Sequence, residues 1–282
     1  MRPPARLLSA VMAMCAGLAG TAVPAERRSE LVRYGDVQIE VIVEGEGPTV
    51  VLLPSLARDS DDYDAVAEGL TAAGFRVLRP KPRGIGKSIG PMTNVTLHDF
   101  ARDIAEVVEK LGNGRAVIVG HAYGNWVARM TATDHPKLVR GVVIAAAAAK
   151  QYAPELGTAV TNAGNLSLLD EERLAALRFA FFAPGNDPSV WLTGWHPEIR
   201  NSQRAAAAAV RQDEWWAGGT APLLDLQAAL DPFKPEAKRN EMKDEFGGRV
   251  TVAVIPNASH ALMPEQPKAV VDVLTTWIKG LP

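Results

Sequence analysis

Five consecutive residues near the middle of the chain, Gly120-His121-Ala122-Tyr123-Gly124, have the spacing of a turn that presents a nucleophile. A β-rich run, 116–119, leads into the first glycine, and a helix-compatible run, 124–133, follows at once. In such a turn the strand and helix pass very close, so both flanking positions favour glycine. The central position should carry the nucleophile that attacks a carbonyl carbon, and here it carries Ala122, whose methyl group cannot attack.

Two residues late in the chain could supply acid–base chemistry. Asp231 follows an apolar run and precedes Pro232, while His260 lies in a loop before the last helical stretch. Each has an ordinary alternative, since a loop histidine is commonly a surface residue and an aspartate commonly caps a turn. If Asp231 is buried beside His260, it would orient the imidazole and favour its charged form, which makes the pair a general base.

The residues leave open what could attack in place of Ala122. Ser55 is the most plausible hydroxyl, because it belongs to the loop that should face the turn, although nothing in the sequence directs it at His260. Tyr123 is adjacent, but a phenol is a poor nucleophile near neutral pH. A His260–Asp231 pair could activate water directly or abstract a proton from a bound substrate. The remaining alternative is a cavity that binds a ligand without chemistry.

The composition suits one large α/β domain. The chain has 282 residues, 47% of them hydrophobic, with a formal net charge of −2, which gives no reason to expect nucleic acid as a partner. The single cysteine is Cys15, so no cysteine nucleophile or cysteine zinc site is expected in the main domain. Gly86-Lys87-Ser88 is not a nucleotide-binding loop, because Lys81 stands where the loop needs glycine. We therefore expect neither a cofactor nor a metal.

Residues 1–25 have the pattern of a secretory signal peptide. Arg2 and Arg6 form a positive start, 7–19 is an apolar stretch, and Val23-Pro24-Ala25 offers small residues for cleavage before Glu26. The sequence thus predicts a periplasmic or secreted domain, 26–282, that has no membrane contact after cleavage. An uncleaved anchor is the alternative, and a lipid on Cys15 is disfavoured because Met14 precedes it.

Apolar runs and helical patterns alternate along most of the chain. This alternation predicts a mostly parallel sheet with helices on both faces, after an antiparallel hairpin over 31–44. The predicted later strands are 49–53, 75–78, 116–119, 139–145, 223–226 and 250–255. The predicted helices of this layer are 62–73, 97–111, 124–133, 234–245 and 267–279.

Residues 150–219 interrupt the alternation. They contain two helical stretches, 170–182 and 199–216, no strand pattern, and many aromatic side chains. We interpret this segment as a helical cap over the sheet. Its four tryptophans either pack the cap on the main domain or line an apolar pocket, and we expect both roles among them. They are Trp191, Trp195, Trp215 and Trp216.

The motifs, taken in order, resemble the α/β-hydrolase superfamily over nearly all of the sequence after residue 25. They are the turn 120–124, the R-G-x-G-x-S loop 83–88, the L-D-P segment 230–232 and the N-A-S-H segment 257–260. The resemblance implies that Ala122, Asp231 and His260 occupy the nucleophile, acid and histidine positions. It also implies an oxyanion hole made by the main-chain N–H groups of Leu56 and Tyr123. Pro54-Ser55-Leu56 stands where the family usually has a His-Gly pair.

The resemblance implies a hydrolase of a small, largely apolar ester, lactone or amide. The usual acyl-enzyme route is not expected with Ala122, because loss of the serine lowers kcat about 10⁶-fold in subtilisin. The alternatives are a ligand-binding protein on the same fold, or a hydrolase whose nucleophile has been lost naturally or by engineering.

Overall fold

The computed structural model describes residues 27–282, so the predicted signal peptide and Cys15 lie outside the described residues. The strands are β1 Arg28–Tyr34, β2 Val37–Glu44, β3 Thr49–Leu53, β4 Arg76–Pro80, β5 Ala116–His121, β6 Val139–Ala145, β7 Leu223–Ala228 and β8 Val250–Ile255. The α-helices are α1 Asp64–Ala72, α2 Leu97–Leu111, α3 Gly124–Asp134, α4 Pro154–Ala163, α5 Asp170–Ala180, α6 Pro197–Ala208, α7 Gln212–Trp215, α8 Glu241–Phe246, α9 Leu262–Glu265 and α10 Pro267–Lys279. Among the described helices, none has the length and apolarity needed to cross a membrane.

The strands form one eight-stranded sheet in the order β1-β2-β4-β3-β5-β6-β7-β8. The β1–β2 and β2–β4 pairs are antiparallel, and every pair from β4 to β8 is parallel. Strand β4 lies on one side of β3 and β5 lies on the other, so the strand order reverses direction between β3 and β5. The carboxyl ends of strands at such a reversal are where open α/β sheets bind ligands.

Two apolar cores form on opposite faces of the sheet. Val50 and Leu52 of β3 pack with α1 and α10, whereas Val51 and Leu53 belong to the core that includes α2 and α3. This division follows from the period of two in a strand, and all five residues of β3 are buried. The predicted fold class, a mostly parallel sheet with helices on both faces, is confirmed.

The segment between β6 and β7 contains helices α4 to α7 and no strand of the described sheet. It forms a helical cap with its own apolar cluster, to which Leu156, Leu177 and Trp191 contribute. The same cluster includes Ala57 from the loop after β3 and Ala261 from the loop after β8. The cap therefore packs on the loops at the carboxyl edge of the sheet.

Two of the predicted helices are interrupted in the structure. The predicted helix 199–216 is divided into α6 and α7, because the Glu214 carboxylate accepts the N–H of Arg211 and starts a new helix. In place of a helix over 234–245 there is a short 3₁₀ turn followed by α8. Lys234 instead extends into the core, where its ammonium contacts the carboxylate of Asp225 at 2.6 Å, and Pro235 follows it.

Candidate active site

The turn after β5 requires glycine at both of its flanking positions, 120 and 124. A Cβ on Gly120 would lie 2.3 Å from the carbonyl oxygen of Gly124, and one on Gly124 would lie 2.6 Å from that of Leu53. No side chain fits at such distances, which accounts for glycine at both positions. Between them, Ala122 has a φ of +47°, in the left-handed region that non-glycine residues rarely occupy. The backbone of Ala122 is therefore strained, and the turn fixes the position of this residue at the carboxyl end of β5.

The structure brings Asp231 and His260 together. Asp231 follows β7 and His260 follows β8, and Oδ2 of the carboxylate lies 2.9 Å from Nδ1 of the imidazole. The other oxygen, Oδ1, accepts the main-chain N–H of Phe233 at 2.9 Å, which fixes the carboxylate. Because a carboxylate only accepts hydrogen bonds, Nδ1 carries the hydrogen. Within the described part of the chain Nε2 has no partner, so it is the nitrogen available to a ligand.

His121 connects the elements beneath the turn. Its Nε2 lies 2.6 Å from the carbonyl oxygen of His260, so Nε2 carries the hydrogen. Burial lowers the pKa of His121 to about 3, and its Nδ1 therefore accepts the hydroxyl hydrogen of Tyr63 at 3.0 Å. The same tyrosine oxygen accepts the N–H of Ser55. A buried chain of hydrogen bonds thus joins the loop after β3, the end of β5 and the loop after β8.

Two main-chain donors at the site are free. Among residues 27–282, the N–H groups of Leu56 and Tyr123 donate to no other protein atom, and both residues line the cavity at Ala122. The loop that carries Leu56 is held by the cap, since the Gln203 side chain accepts the N–H of Ala57 at 2.8 Å. Two free N–H groups beside an imidazole can stabilise an oxygen that becomes negatively charged.

A cavity of about 140 Å³ lies between the turn and the cap. Ala122, Ser55 and His260 all line it, so the structure places the predicted alternative hydroxyl in the same cavity as the imidazole. The Ser55 hydroxyl has no hydrogen bond within the described residues. Tyr123 also lines the cavity, but burial raises the pKa of its phenol further, which argues against a nucleophilic role.

The four predicted pocket tryptophans occupy different places. Trp195 lines the cavity at Ala122. Trp215 and Trp216 line an outer cleft of about 410 Å³ that shares wall residues with the cavity. Trp191 is not among the lining residues of either space: it is almost fully buried and packs against Phe181 and the other rings of the cap. Trp191 therefore packs inside the cap, as the first of the two interpretations predicted.

Sequence reasoning missed several residues of the cavity wall, among them Trp126, Phe233 and Arg204. Trp126 lies one helical turn after Ala122 and stacks on Trp215, with ring centroids 5.4 Å apart. Phe233 follows Asp231 by two positions, and its ring lies 4.2 Å from that of His260. The spacing to Ala122 or Asp231 is a signal that could have identified both. Arg204 of α6 also lines the cavity, and nothing in its sequence surroundings indicates this position.

The site contains no evident metal ligands. In the part of the chain that the structure describes, no three histidine, cysteine, aspartate or glutamate side chains are grouped as a metal site would need. The imidazole of His260 is committed to Asp231 on one side and open to the cavity on the other. The arrangement can bind a small molecule, accept its proton or that of a water, and stabilise an oxyanion.

Known proteins match this sequence and fold. Residues 48–182 match the family model for the alpha/beta hydrolase fold. The 2-(acetamidomethylene)succinate hydrolase of Mesorhizobium japonicum is 30% identical over 115 residues, which are 41% of this chain and 41% of that protein. The non-heme chloroperoxidase of Streptomyces lividans is 31% identical over 179 residues, 62% of this chain and 61% of that protein. The matched region is thus less than two thirds of the length of these relatives.

The fold also matches over nearly the whole chain. The crystal structure of E-2-(acetamidomethylene)succinate hydrolase aligns with a TM-score of 0.75, covering 90% of this chain and 100% of that one at 21% identity. The sheet order, the strained turn after β5 and the structural match define the α/β-hydrolase fold. The chain therefore has the α/β-hydrolase fold, as the order of its motifs predicted, and the family model accounts for residues 48–182 of it.

Proposed function

We propose that this protein hydrolyses a small, largely apolar ester, lactone or amide by direct attack of a water molecule. His260 is the general base, and Asp231 holds its Nδ1–H. The observation that carries the proposal is that His260, whose Nε2 has no partner in the described residues, lines the same cavity as Leu56 and Tyr123, whose N–H groups donate to no described protein atom. Base and oxyanion donors are present without a hydroxyl at Ala122.

The reaction follows from these positions. The oxygen of water forms a bond to the carbonyl carbon while one water proton moves to Nε2 of His260. The carbonyl oxygen takes the electron pair and is stabilised by the N–H groups of Leu56 and Tyr123. The oxyanion then collapses, the bond from the carbonyl carbon to the leaving oxygen or nitrogen breaks, and the proton on Nε2 passes to the leaving group. The products are an acid and an alcohol or amine.

The cavity supports the proposed substrate class. Its walls are mainly apolar or aromatic, with Leu56, Trp126, Phe181 and Phe233 among them. Its volume of about 140 Å³ is close to that of a protein cavity of about 150 Å³ that holds a benzene molecule. A relative named as a hydrolase of an acetamido compound supports an amide or ester as the scissile group.

The proposal is tested with the wild-type protein and a panel of p-nitrophenyl esters, a lactone and an anilide. We expect slow turnover, since no covalent intermediate divides the reaction. His260→Ala should abolish turnover, and Ser55→Ala should leave it unchanged. Turnover that survives His260→Ala would contradict the proposal.

The same hydrolysis has a second possible mechanism, in which Ser55 is the nucleophile. Because it lines the cavity with a hydroxyl free of hydrogen bonds in the described residues, it could replace the missing nucleophile. In that case both Ser55→Ala and His260→Ala would abolish turnover, and a covalent acyl intermediate on Ser55 would be detected by mass spectrometry of the quenched enzyme.

Ligand binding without chemistry is the second candidate, favoured by the methyl group of Ala122 at the tip of the turn. It predicts saturable binding of apolar esters, followed by tryptophan fluorescence, with no hydrolysis over the same time. Recovery of the intact ester from the protein after hours of incubation would support this candidate over the hydrolase.

A further inference from the structure

One permanent charge lines the cavity at Ala122. Arg204 of α6 is the only lysine or arginine in that wall, and within the described residues no aspartate or glutamate side chain belongs to it. Arg204 also lines the outer cleft, so it lies at the junction of the two spaces. In a pocket whose other walls are mainly apolar, a single charged group decides which ligands are accepted and how they are oriented.

The guanidinium of Arg204 is largely uncommitted. Its one side-chain hydrogen bond to protein is a long contact of 3.5 Å from Nη2 to the Thr161 hydroxyl, and it forms no ion pair with any of the residues that the structure describes. Lys150, the other cation of the outer cleft, differs because its ammonium lies 2.8 Å from the carboxylate of Glu245. Arg204 therefore has donors available where a ligand would pass.

The position of Arg204 relative to the reacting groups is set by the fold. The turn after β5 and His260 form the sheet side of the cavity, whereas Gly157 and Val160 of α4 and Arg204 of α6 form the cap side. A ligand that spans this cavity therefore contacts the turn and His260 on one side and Arg204 on the other.

We propose that Arg204 binds a carboxylate group of the substrate, which makes this site selective for acyl compounds that carry an acid remote from the bond that is cleaved. The planar guanidinium can donate two parallel hydrogen bonds to a carboxylate, which no other wall residue can do. This inference rests on the proposed function, because it assigns the substrate class of the same cavity.

The test measures binding and needs no turnover. Phenylacetate and its uncharged isostere phenylacetamide are titrated into the full-length protein by calorimetry. We expect wild type to bind phenylacetate about tenfold more tightly, as for a charge-assisted hydrogen bond, and the preference should weaken as ionic strength rises. Arg204→Gln should abolish the preference and leave the phenylacetamide affinity unchanged, and Arg204→Lys should restore part of it.

Arg178 supplies the matched control. Like Arg204 it is an exposed cap arginine, but it lies on α5 and lines neither space, so Arg178→Gln should retain the full preference. The inference is overturned if wild type binds the two probes equally or binds neither. It is also overturned if the preference survives Arg204→Gln and is lost in His260→Gln, since the carboxylate would then occupy the reaction centre. Those outcomes leave the proposed function standing, because turnover of uncharged esters decides it separately.

Discussion

At the scale of single residues, the methyl group of Ala122 sits among groups that suit a hydroxyl. Its backbone has the left-handed φ of +47°, and Ala122 lines the cavity that His260 also lines. Asp231 holds the imidazole with Nε2 free, and the N–H groups of Leu56 and Tyr123 are not used by the protein in its described part. Serine differs from alanine by one oxygen, so the turn should accept it with little new strain.

Ala122→Ser should therefore create or greatly raise esterase activity. If the new hydroxyl lies within about 3 Å of Nε2 of His260, the gain in p-nitrophenyl ester hydrolysis should reach several powers of ten. The measurement compares initial rates of wild type and Ala122→Ser.

Ala122→Ser combined with His260→Ala is the control and should lose the whole gain. A folded Ala122→Ser protein with no gain would mean that the site no longer supports acyl transfer, and ligand binding would become the leading interpretation.

At the scale of elements, the contact between β5, α3 and the end of β3 leaves no room for a side chain at Gly124. A Cβ there would lie 2.6 Å from the carbonyl oxygens of both Leu53 and Pro54, which are main-chain atoms that cannot move aside. Gly124→Ala should destabilise the fold by several kcal/mol or prevent soluble expression.

Gly157→Ala is the matched control for Gly124→Ala. Gly157 lies in α4, where a Cβ meets nothing within 4 Å, so alanine should stabilise the protein by about 0.5–1 kcal/mol. Urea denaturation measures the stability of both variants. Equal midpoints for the two would contradict the claim that a Cβ at position 124 clashes with the main chain.

The hydrogen-bond chain through Tyr63 joins the loop after β3, the end of β5 and the loop after β8. Tyr63→Phe removes the oxygen that accepts the N–H of Ser55 and donates to His121, and leaves both groups buried without a partner. We expect a loss of about 1–3 kcal/mol in the free energy of unfolding. Tyr152→Phe, at an exposed tyrosine, should change it by less than about 0.5 kcal/mol. If Tyr63→Phe leaves the free energy of unfolding unchanged, this chain of hydrogen bonds does not stabilise the site.

At the scale of the whole molecule, burial of His121 makes stability depend on pH. Its pKa falls from the ordinary 6.5 to about 3, because burial and the nearby His260 disfavour the charged form. Between these two values the unfolded chain binds a proton at this imidazole and the folded chain does not. The free energy of unfolding therefore falls as pH is lowered from 6.5 toward 3, by up to about 1.4 kcal/mol per pH unit.

His121→Gln should flatten this dependence, since glutamine does not titrate. The free energy of unfolding is measured by urea denaturation at several values between pH 4 and 6.5 for wild type and variant. Other groups contribute equally to both proteins, so identical slopes would contradict the role assigned to His121.

Export is the other property of the whole chain. The pattern of residues 1–25 leads us to propose a periplasmic or secreted protein whose mature form begins near Glu26. Mass spectrometry of the protein from the exported fraction should give this amino terminus. An intact Met1 or a lipid on Cys15 would refute it.

The fold class and the order of the motifs could be predicted because their signals are local. Continuous apolar runs such as 49–53 mark buried strands, and the glycines of the turn 120–124 mark a close approach of strand and helix. The positions of Asp231 and His260 at the ends of late strands follow from the same alternation. The lengths of helices were less predictable, because the Asp225–Lys234 contact and the Glu214 cap override helical propensity over 234–245 and 199–216.

Only the tertiary structure decided which side chains meet. The hydrogen bonds from Ser55 through Tyr63 and His121 to the main chain of His260 include one between residues 139 positions apart, and no local pattern encodes such contacts. The same holds for the cap, where Trp195 lines the cavity and Trp191, four residues earlier, is buried behind it. A helical or turn pattern shows that an aromatic residue will be buried, but the packing of distant elements determines whether it faces the core or the ligand.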